Sequence, residues 1–366
     1  MKNHKLAGSI ALLLTALGAA SAAAQTTTAS ILFTRPFYRS TDGARAMLLD
    51  RVKPSGAGVA RLAPLLYGVD YRRAGWSPSG AAVVYEASQQ SSAWQHSQLY
   101  VVDRQGGPTH RITAGPGTHT FASWGPNGTV AFITDDNQLN HDCLGTVRAD
   151  GTHQRILFCP PREAGMTTRY MALSAPQWAA SGKSVYVTAG TDEGGLEPRL
   201  WFSNVYRVNV STGAAVKLAG QVFEGINTGP EYSLTIAPDG THGVYDSNPM
   251  NALDFAINTL TPLASGGGYL RYSKDGRKIA FARQEGPGIG HLHVYVMRAD
   301  GSHIHPALVN PDPDADYTPV DWSFDGTRLL VNKWKGDTWL QIVDLRNNTA
   351  RTVVRGTADN GAWFHP

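Results

Sequence analysis

Six times along the chain a large aromatic or aliphatic residue is followed by a small residue, a tight turn ending in glycine, and an apolar strand. The copies are Trp76-Ser-Pro-Ser-Gly80, Trp124-Gly-Pro-Asn-Gly128, Trp178-Ala-Ala-Ser-Gly182, Ile236-Ala-Pro-Asp-Gly240, Tyr272-Ser-Lys-Asp-Gly276 and Trp322-Ser-Phe-Asp-Gly326. They recur at intervals of 36 to 58 residues. A lone unit of this kind cannot bury both faces of its strands, so the copies must stack on one another. Turn-rich β sequence at such a period builds a propeller or a related repeat array.

The rest of each repeat supplies three more strands. After the glycine turn comes an alternating apolar segment, such as Ala82-Val-Val-Tyr85, Val130-Ala-Phe-Ile133 or Arg328-Leu-Leu-Val331. A third follows a loop, as in Gln98-Leu-Tyr-Val-Val102 and Leu340-Gln-Ile-Val343. A hairpin such as Ala149-Asp-Gly-Thr152 then leads into a short fourth strand. Asp-Gly between two period-two runs is a strong hairpin signal, because glycine accepts the positive φ of the turn. The pattern predicts an all-β fold, a β-propeller of four-stranded antiparallel blades with the head Trp of each repeat packed between neighbours. The C-terminal Gly361-Ala-Trp363 resembles an inner-strand head with nothing after it. Ile31-Leu-Phe-Thr34, Ala46 to Asp50 and Val59 to Leu62 supply the three missing strands. One blade built from both termini closes the ring and gives seven blades. Six or eight are the alternatives, because the copies at Ile236 and Tyr272 are degenerate and closely spaced.

The recurring turn, with segments such as His293-Val-Tyr-Val-Met-Arg-Ala-Asp-Gly-Ser302, resembles the TolB-type (PD40, WD40-like) β-propeller repeat. The resemblance covers nearly the whole chain after residue 25 and implies one propeller domain over 26–366. That repeat class occurs in periplasmic Tol-system proteins, prolyl-oligopeptidase-type peptidases and oligogalacturonate lyases, so it implies fold more narrowly than function. Its TolB side implies a non-enzymatic scaffold for a cell-envelope protein or peptide. Its lyase side implies the alternative, a polysaccharide-active enzyme with carbohydrate in the propeller channel.

Met1-Lys-Asn-His-Lys5 is a basic leader, Leu6 to Ala20 is apolar, and Ser21-Ala-Ala-Ala-Gln25 offers small residues for cleavage. Residues 1–25 therefore read as a secretory signal peptide, and the protein as periplasmic or secreted. No later stretch reaches the ~20 apolar residues of a membrane span. Losing the leader removes Lys2 and Lys5 and lowers the formal charge from +3 to +1, which argues against nucleic acid as a partner. The only cysteines, Cys143 and Cys159, fall in one repeat and are expected to form a disulfide.

Candidate site residues gather where outer strands lead to the next inner strand, at one mouth of the channel. They are Asp70, Tyr71, Arg72 and Arg73; His119; Arg169; Glu231 and Tyr232; Tyr269 and Arg271; and Asp314, Asp316 and Tyr317. Convergent polar and aromatic groups around a concave mouth can bind a ligand; connectors are also polar simply because they meet water. Asp312, Asp314 and Asp316 have the spacing that begins an EF-hand calcium loop. Tyr317 stands where its glycine belongs and Ser323 where its Glu belongs, so a solvated acidic connector is the competing reading. No cofactor is predicted beyond that optional divalent cation. The pairs His291/His293 and His303/His305 fall on the third and fourth strands of a blade, toward its periphery. Lys333-Trp-Lys335 is expected on the opposite rim. No Gly-x-Ser-x-Gly elbow is present, so a Ser nucleophile of the α/β-hydrolase kind has no foothold.

Overall fold

The structure is a computed structural model that describes residues 29–89, 96–136, 141–161, 171–192, 201–224, 234–245, 249–257, 259–264, 266–286, 291–356 and 358–364. The leader segment, Arg169, Glu231 and Tyr232 lie outside the described residues. The described chain forms seven antiparallel sheets, the blades of a seven-bladed β-propeller.

Blade 1 holds β1 (Ser30–Tyr38), β2 (Arg45–Val52) and β3 (Ala60–Arg61), and blade 2 holds β4 (Val69–Trp76), β5 (Ala82–Gln89), β6 (Gln98–Asp103) and β7 (Thr109–Arg111). Blade 3 is β8 (Thr118–Trp124), β9 (Thr129–Asp136), β10 (His141–Arg148) and β11 (Arg155–Phe158). In blade 4 the inner position is shared by β12 (Met171–Leu173) and β13 (Gln177–Trp178), followed by β14 (Ser184–Asp192), β15 (Trp201–Asn209) and β16 (Ala215–Glu224). Blade 5 is β17 (Leu234–Ile236), β18 (His242–Tyr245), β19 (Met250–Asp254) and β20 (Thr259–Ala264). Blade 6 is β21 (Gly268–Tyr272), β22 (Lys278–Glu285), β23 (His291–Arg298) and β24 (His305–Pro306). Blade 7 is β25 (Asp316–Trp322), β26 (Arg328–Trp334), β27 (Thr338–Asp344) and β28 (Thr349–Arg355). The last strand, β29 (Ala358–Phe364), returns to blade 1 as its inner strand beside β1, with Ile31 opposite Trp363. The expected closure by both termini is thus present, and the close copies at Ile236 and Tyr272 resolve into two separate blades.

The repeat turn has one geometry in all six copies. The glycine N–H donates to the carbonyl three residues earlier, as in Gly80 to Ser77 (2.8 Å) and Gly326 to Ser323 (3.0 Å). Each of the six glycines has φ between +62° and +77°, where a Cβ would strain the backbone. The head residue ends the inner strand and reaches the preceding blade. The indole N–H of Trp124 donates to Gly75 O (3.1 Å), that of Trp178 to Ser123 O (2.9 Å) and that of Trp322 to Arg271 O (2.9 Å). In every case the acceptor directly precedes the neighbouring blade's own head residue.

There is no single core. Seven apolar clusters fill the seven interfaces between adjacent blades. Strand alternation feeds them: Leu32 packs toward blade 2 while Ile31 and Phe33 pack toward blade 7. Val83 and Tyr85 likewise face blade 1, and Val84 faces blade 3. Because both faces of each blade are covered, strands expected to alternate, such as Val83-Val84-Tyr85, are apolar and buried at successive positions.

Cys143 on β10 and Cys159 just beyond β11 form a disulfide, closing a segment with a sequence separation of 16 residues. Two stability predictions follow from these contacts. Trp322→Ala, at a fully buried latch position, should lower the urea unfolding free energy by roughly 3–5 kcal/mol. Replacing both cysteines by serine should cost about 3 kcal/mol. Unchanged urea midpoints would contradict either account.

Candidate functional site

Antiparallel connectivity sorts the loops onto two faces. The repeat turns and the Asp-Gly hairpins lie on one. The connectors from outer to inner strands and the loops between second and third strands share the other, here named the connector face. Lys333-Trp-Lys335 therefore lies on the same face as the acidic connector, which corrects the expectation of an opposite rim. The two segments touch. Lys333 Nζ sits 2.9 Å from Asp312 Oδ2, and Lys335 Nζ sits 3.0 Å from Asp312 Oδ1 and 3.2 Å from Asp314 Oδ2. Those ammonium groups hold the Asp312 carboxyl well below the usual carboxylate range. Lys333 also lies 4.6 Å from the Trp339 ring and 5.7 Å from the Tyr317 ring.

Asp316 opens β25 and faces another way. Its Oδ1 accepts the Leu292 N–H of blade 6 (2.8 Å) and lies 3.3 Å from His291 Nδ1. The first histidine pair and the acidic connector, distant in sequence, thus meet at one blade interface. His293 pairs with Glu285 instead (3.0 Å) and lies edge-on to the buried Tyr317. His305 lies on the outer strand and His303 in the hairpin before it, at the blade periphery as expected. Among the described residues, no three His, Cys, Asp or Glu side chains converge to hold a metal ion.

The inner strands, which surround the axis, carry a feature that the repeat pattern did not announce. Three residues before the head aromatic, β4, β8 and β21 shift register at a bulge, and β25 does so at Val320, two residues before Trp322. Arg73, Phe121 and Tyr269 occupy that place with φ of 42°, 54° and 58°, which bulky residues rarely adopt. In blade 4 the inner strand is interrupted there, between β12 and β13. The bulged side chains of blades 2 and 3 meet: the Arg73 guanidinium stacks 3.9 Å from the Phe121 ring centre. Beneath them lies Glu86 of β5, buried, with Oε2 3.3 Å from Arg73 Nη1 and Oε1 accepting the Phe121 N–H at 2.5 Å. Burial pushes the Glu86 carboxyl up, while Arg73 and the amide pull it down. Asp70 and Arg72 pair beside it (3.3 Å). Arg271 turns its guanidinium onto Val320 O of blade 7 (3.1 Å).

Asp70, Arg72, Arg73 and Tyr269, expected on connectors, lie within inner strands β4 and β21, and the sequence reading did not single out Phe121 or Glu86. A count of three back from each head residue would have exposed the bulge row. Glu86 gives no local signal, being one acid at the end of an apolar strand.

His119 begins β8 but does not open into the channel. Its ring is buried against Phe132 (5.3 Å between ring centres), at the boundary with blade 2. Burial, with a smaller contribution from Arg111, lowers its pKa from 6.5 to about 4. The unfolded chain takes up this proton below its ordinary value and the folded chain does not, so stability falls as pH drops from 7 toward 4. The effect amounts to about 2 kcal/mol between pH 7 and 5. The difference in unfolding free energy between those two pH values should shrink by that amount in His119→Gln; an identical pH dependence would refute the assignment.

No protein-family model matches the sequence, and no curated protein matches it. Solved structures do resemble the fold. TolB from Acinetobacter baumannii aligns at 13% identity over 90% of this chain and 82% of its own, with a TM-score of 0.51. An oligogalacturonate lyase in complex with manganese aligns at 11% identity over 88% and 84%, with a TM-score of 0.59. A puromycin hydrolase aligns at 14% identity over 90% of this chain but 52% of its own, with a TM-score of 0.63. At such identities the likeness is one of fold: a β-propeller, shared by proteins of different kinds.

Proposed function

We propose that this chain is an exported, non-enzymatic scaffold whose connector face docks a cell-envelope protein or peptide. A basic-apolar leader and a disulfide support an oxidising, extracytoplasmic setting. The observation that carries the docking reading is where the exposed large apolar side chains lie. Among the described residues, four of the exposed large apolar side chains, Tyr38, Leu66, Tyr67 and Trp334, lie on connectors or strand ends of the connector face, while Val59, Ile156, Val216, Ile257, Leu260, Ile304 and Phe324 lie on outer strands or toward the opposite face. Those four belong to one sector, from blade 7 round to the link between blades 1 and 2. Scattered exposed hydrophobics need no explanation, but a sector of them on one face is the signature of an interaction surface. The Arg39 guanidinium lies 4.4 Å from the Tyr67 ring centre, giving this sector the aromatic and arginine character of binding hot spots.

The lyase alternative calls for His, Arg and acid gathered at the axis. Here Arg73 faces Phe121 and a buried carboxylate, His119 is packed between blades, and Asp312 is engaged by two lysines. Among the described residues that arrangement supports the scaffold reading over the lyase one.

Two measurements test it. Immobilised protein lacking the leader should retain a specific partner from an envelope extract, and Tyr67→Ala with Trp334→Ala should weaken retention at least ~10-fold. Phe324→Ala, exposed on the opposite face, should not. EDTA and added calcium or manganese should leave the melting temperature unchanged, and polygalacturonate should remain uncleaved. Metal-dependent cleavage would replace the scaffold with the enzyme.

A further inference from the structure

The interface between blades 5 and 6 lacks the bond that sets the register of others in the ring. In blades 3, 4 and 7 the head indole donates to the carbonyl just before the preceding blade's head residue. Blade 6 carries Tyr272 in that place, at the end of β21. By the same geometry its acceptor would be Thr235 O of blade 5. The Tyr272 hydroxyl is instead buried and makes no hydrogen bond. Burial, with a smaller contribution from the Asp239 carboxylate, pushes its pKa up, so the group stays a donor. An indole presents its N–H at the side of the ring, whereas a phenol carries its O–H at the far tip. A tyrosine at the same Cα therefore aims its donor past the acceptor that a tryptophan meets. A buried donor with no acceptor costs stability rather than adding it.

The interfaces on either side are tied. Across blades 4 and 5, Gln177 Oε1 accepts the Ile236 N–H and Tyr186 donates to Gly240 O, both at 2.8 Å. Across blades 6 and 7, Trp322 donates to Arg271 O (2.9 Å) and Lys274 Nζ lies 2.8 Å from Asp321 Oδ1. Between these two, blades 5 and 6 share an apolar cluster in which Ala237, Val244 and Met250 face Leu270, Ile279 and Met297. Apolar contact is non-directional and fixes no register. Two of these side chains are methionines, unbranched and able to repack without a defined shape. Adhesion is present here, but the head position adds no directional bond to it.

We propose that the propeller opens locally between blades 5 and 6, blade 5 parting from the Tyr272 edge of blade 6 while its interface with blade 4 stays closed. Such an opening lies below global unfolding in free energy. It separates β17 from β21, the inner strands on either side, and so breaches the channel wall sideways. The inference is independent of what docks at the connector face.

Two alanines provide the test, because they hold the same place in successive repeats. Ala179 and Ala237 each directly follow a head residue; the first packs toward blade 5 and the second toward blade 6. Each is replaced by cysteine in the protein lacking the leader, and the new thiol is labelled with dithiobis(nitrobenzoate) under native conditions. In the closed ring Ala237 is the less exposed of the two, 3% against 8%, so static exposure alone predicts slower labelling at residue 237. Local opening reverses the order: Ala237→Cys should react at least ~10-fold faster than Ala179→Cys. Tyr272→Trp, which offers an indole N–H to Thr235 O, should slow the labelling of Ala237→Cys several-fold and leave that of Ala179→Cys unchanged. Tyr272→Phe should not lower the melting temperature, since the hydroxyl it removes bonds to nothing. Melting temperatures identify any variant that fails to fold, and global unfolding would expose both thiols alike. Labelling of Ala237→Cys no faster than that of Ala179→Cys would overturn the proposal, and so would a melting temperature lowered by Tyr272→Phe. If the larger ring of Tyr272→Trp is not accommodated, those two measurements decide alone.

Discussion

Everything in this molecule depends on the contact between neighbouring blades. A four-stranded blade has two apolar faces and no core of its own, so its stability is lent by the blades on either side. The indole-to-carbonyl bonds give that contact its register. Each ties a head tryptophan to the residue preceding its neighbour's head, so one bond sets both the height and the rotation of a blade against the last. Where a head is Ile236, other groups supply the link. Tyr186 donates to Gly240 O (2.8 Å), and Gln177 Oε1 accepts the Ile236 N–H (2.8 Å). The ring tolerates degenerate copies because what must persist is the bond across the interface, not the residue that makes it.

Closure uses the same physics. With β29 placed beside β1, the first and last blades meet through Leu330, Leu340 and Ile342 against Ile31 and Phe33. A ring without that shared blade would expose two apolar faces at once, so the terminal strands are the seal of the whole assembly.

The architecture was legible because it is written locally and repeatedly: turn glycines, period-two runs and Asp-Gly hairpins each act over a few residues. The disulfide was legible from compartment and spacing. The site was only half legible, since it is made by pairings that cross blades. Asp316 and His291 look like members of two different metal motifs until β25 is laid against β23, when each turns out to complete the other. Lys333 and Lys335 are remote from Asp312 in sequence, and only the antiparallel course of the strands brings the β26–β27 loop and the acidic connector to one face. His119 shares its position with genuine connectors, yet its ring follows the strand alternation into the blade interface. Local pattern gives the strand; only the packed ring gives the direction of the side chain.

The bulge row shows what a propeller can do with its axis. Inner strands are the shortest path around the ring, and in blades 2, 3 and 6 a bulge there re-aims one side chain, with Phe121 packing both on Arg73 and against the blade 3–blade 4 cluster. Such strain persists only where surrounding contacts hold it, and in blades 2 and 3 they are visible: Glu86 binds both Arg73 and the Phe121 amide. One buried carboxylate thus fixes two strained residues on adjacent blades. The channel wall at this point is a rigid surface closed by its own partners, with the arginine already satisfied by an acid and a ring. The connector face is the reverse. Several of its aromatic side chains, Tyr38, Tyr67 and Trp334, are exposed. Around Arg73 and Phe121 the described wall satisfies its own charged groups, whereas the connector face leaves aromatic surface open to solvent, and this contrast is what the proposed function draws on.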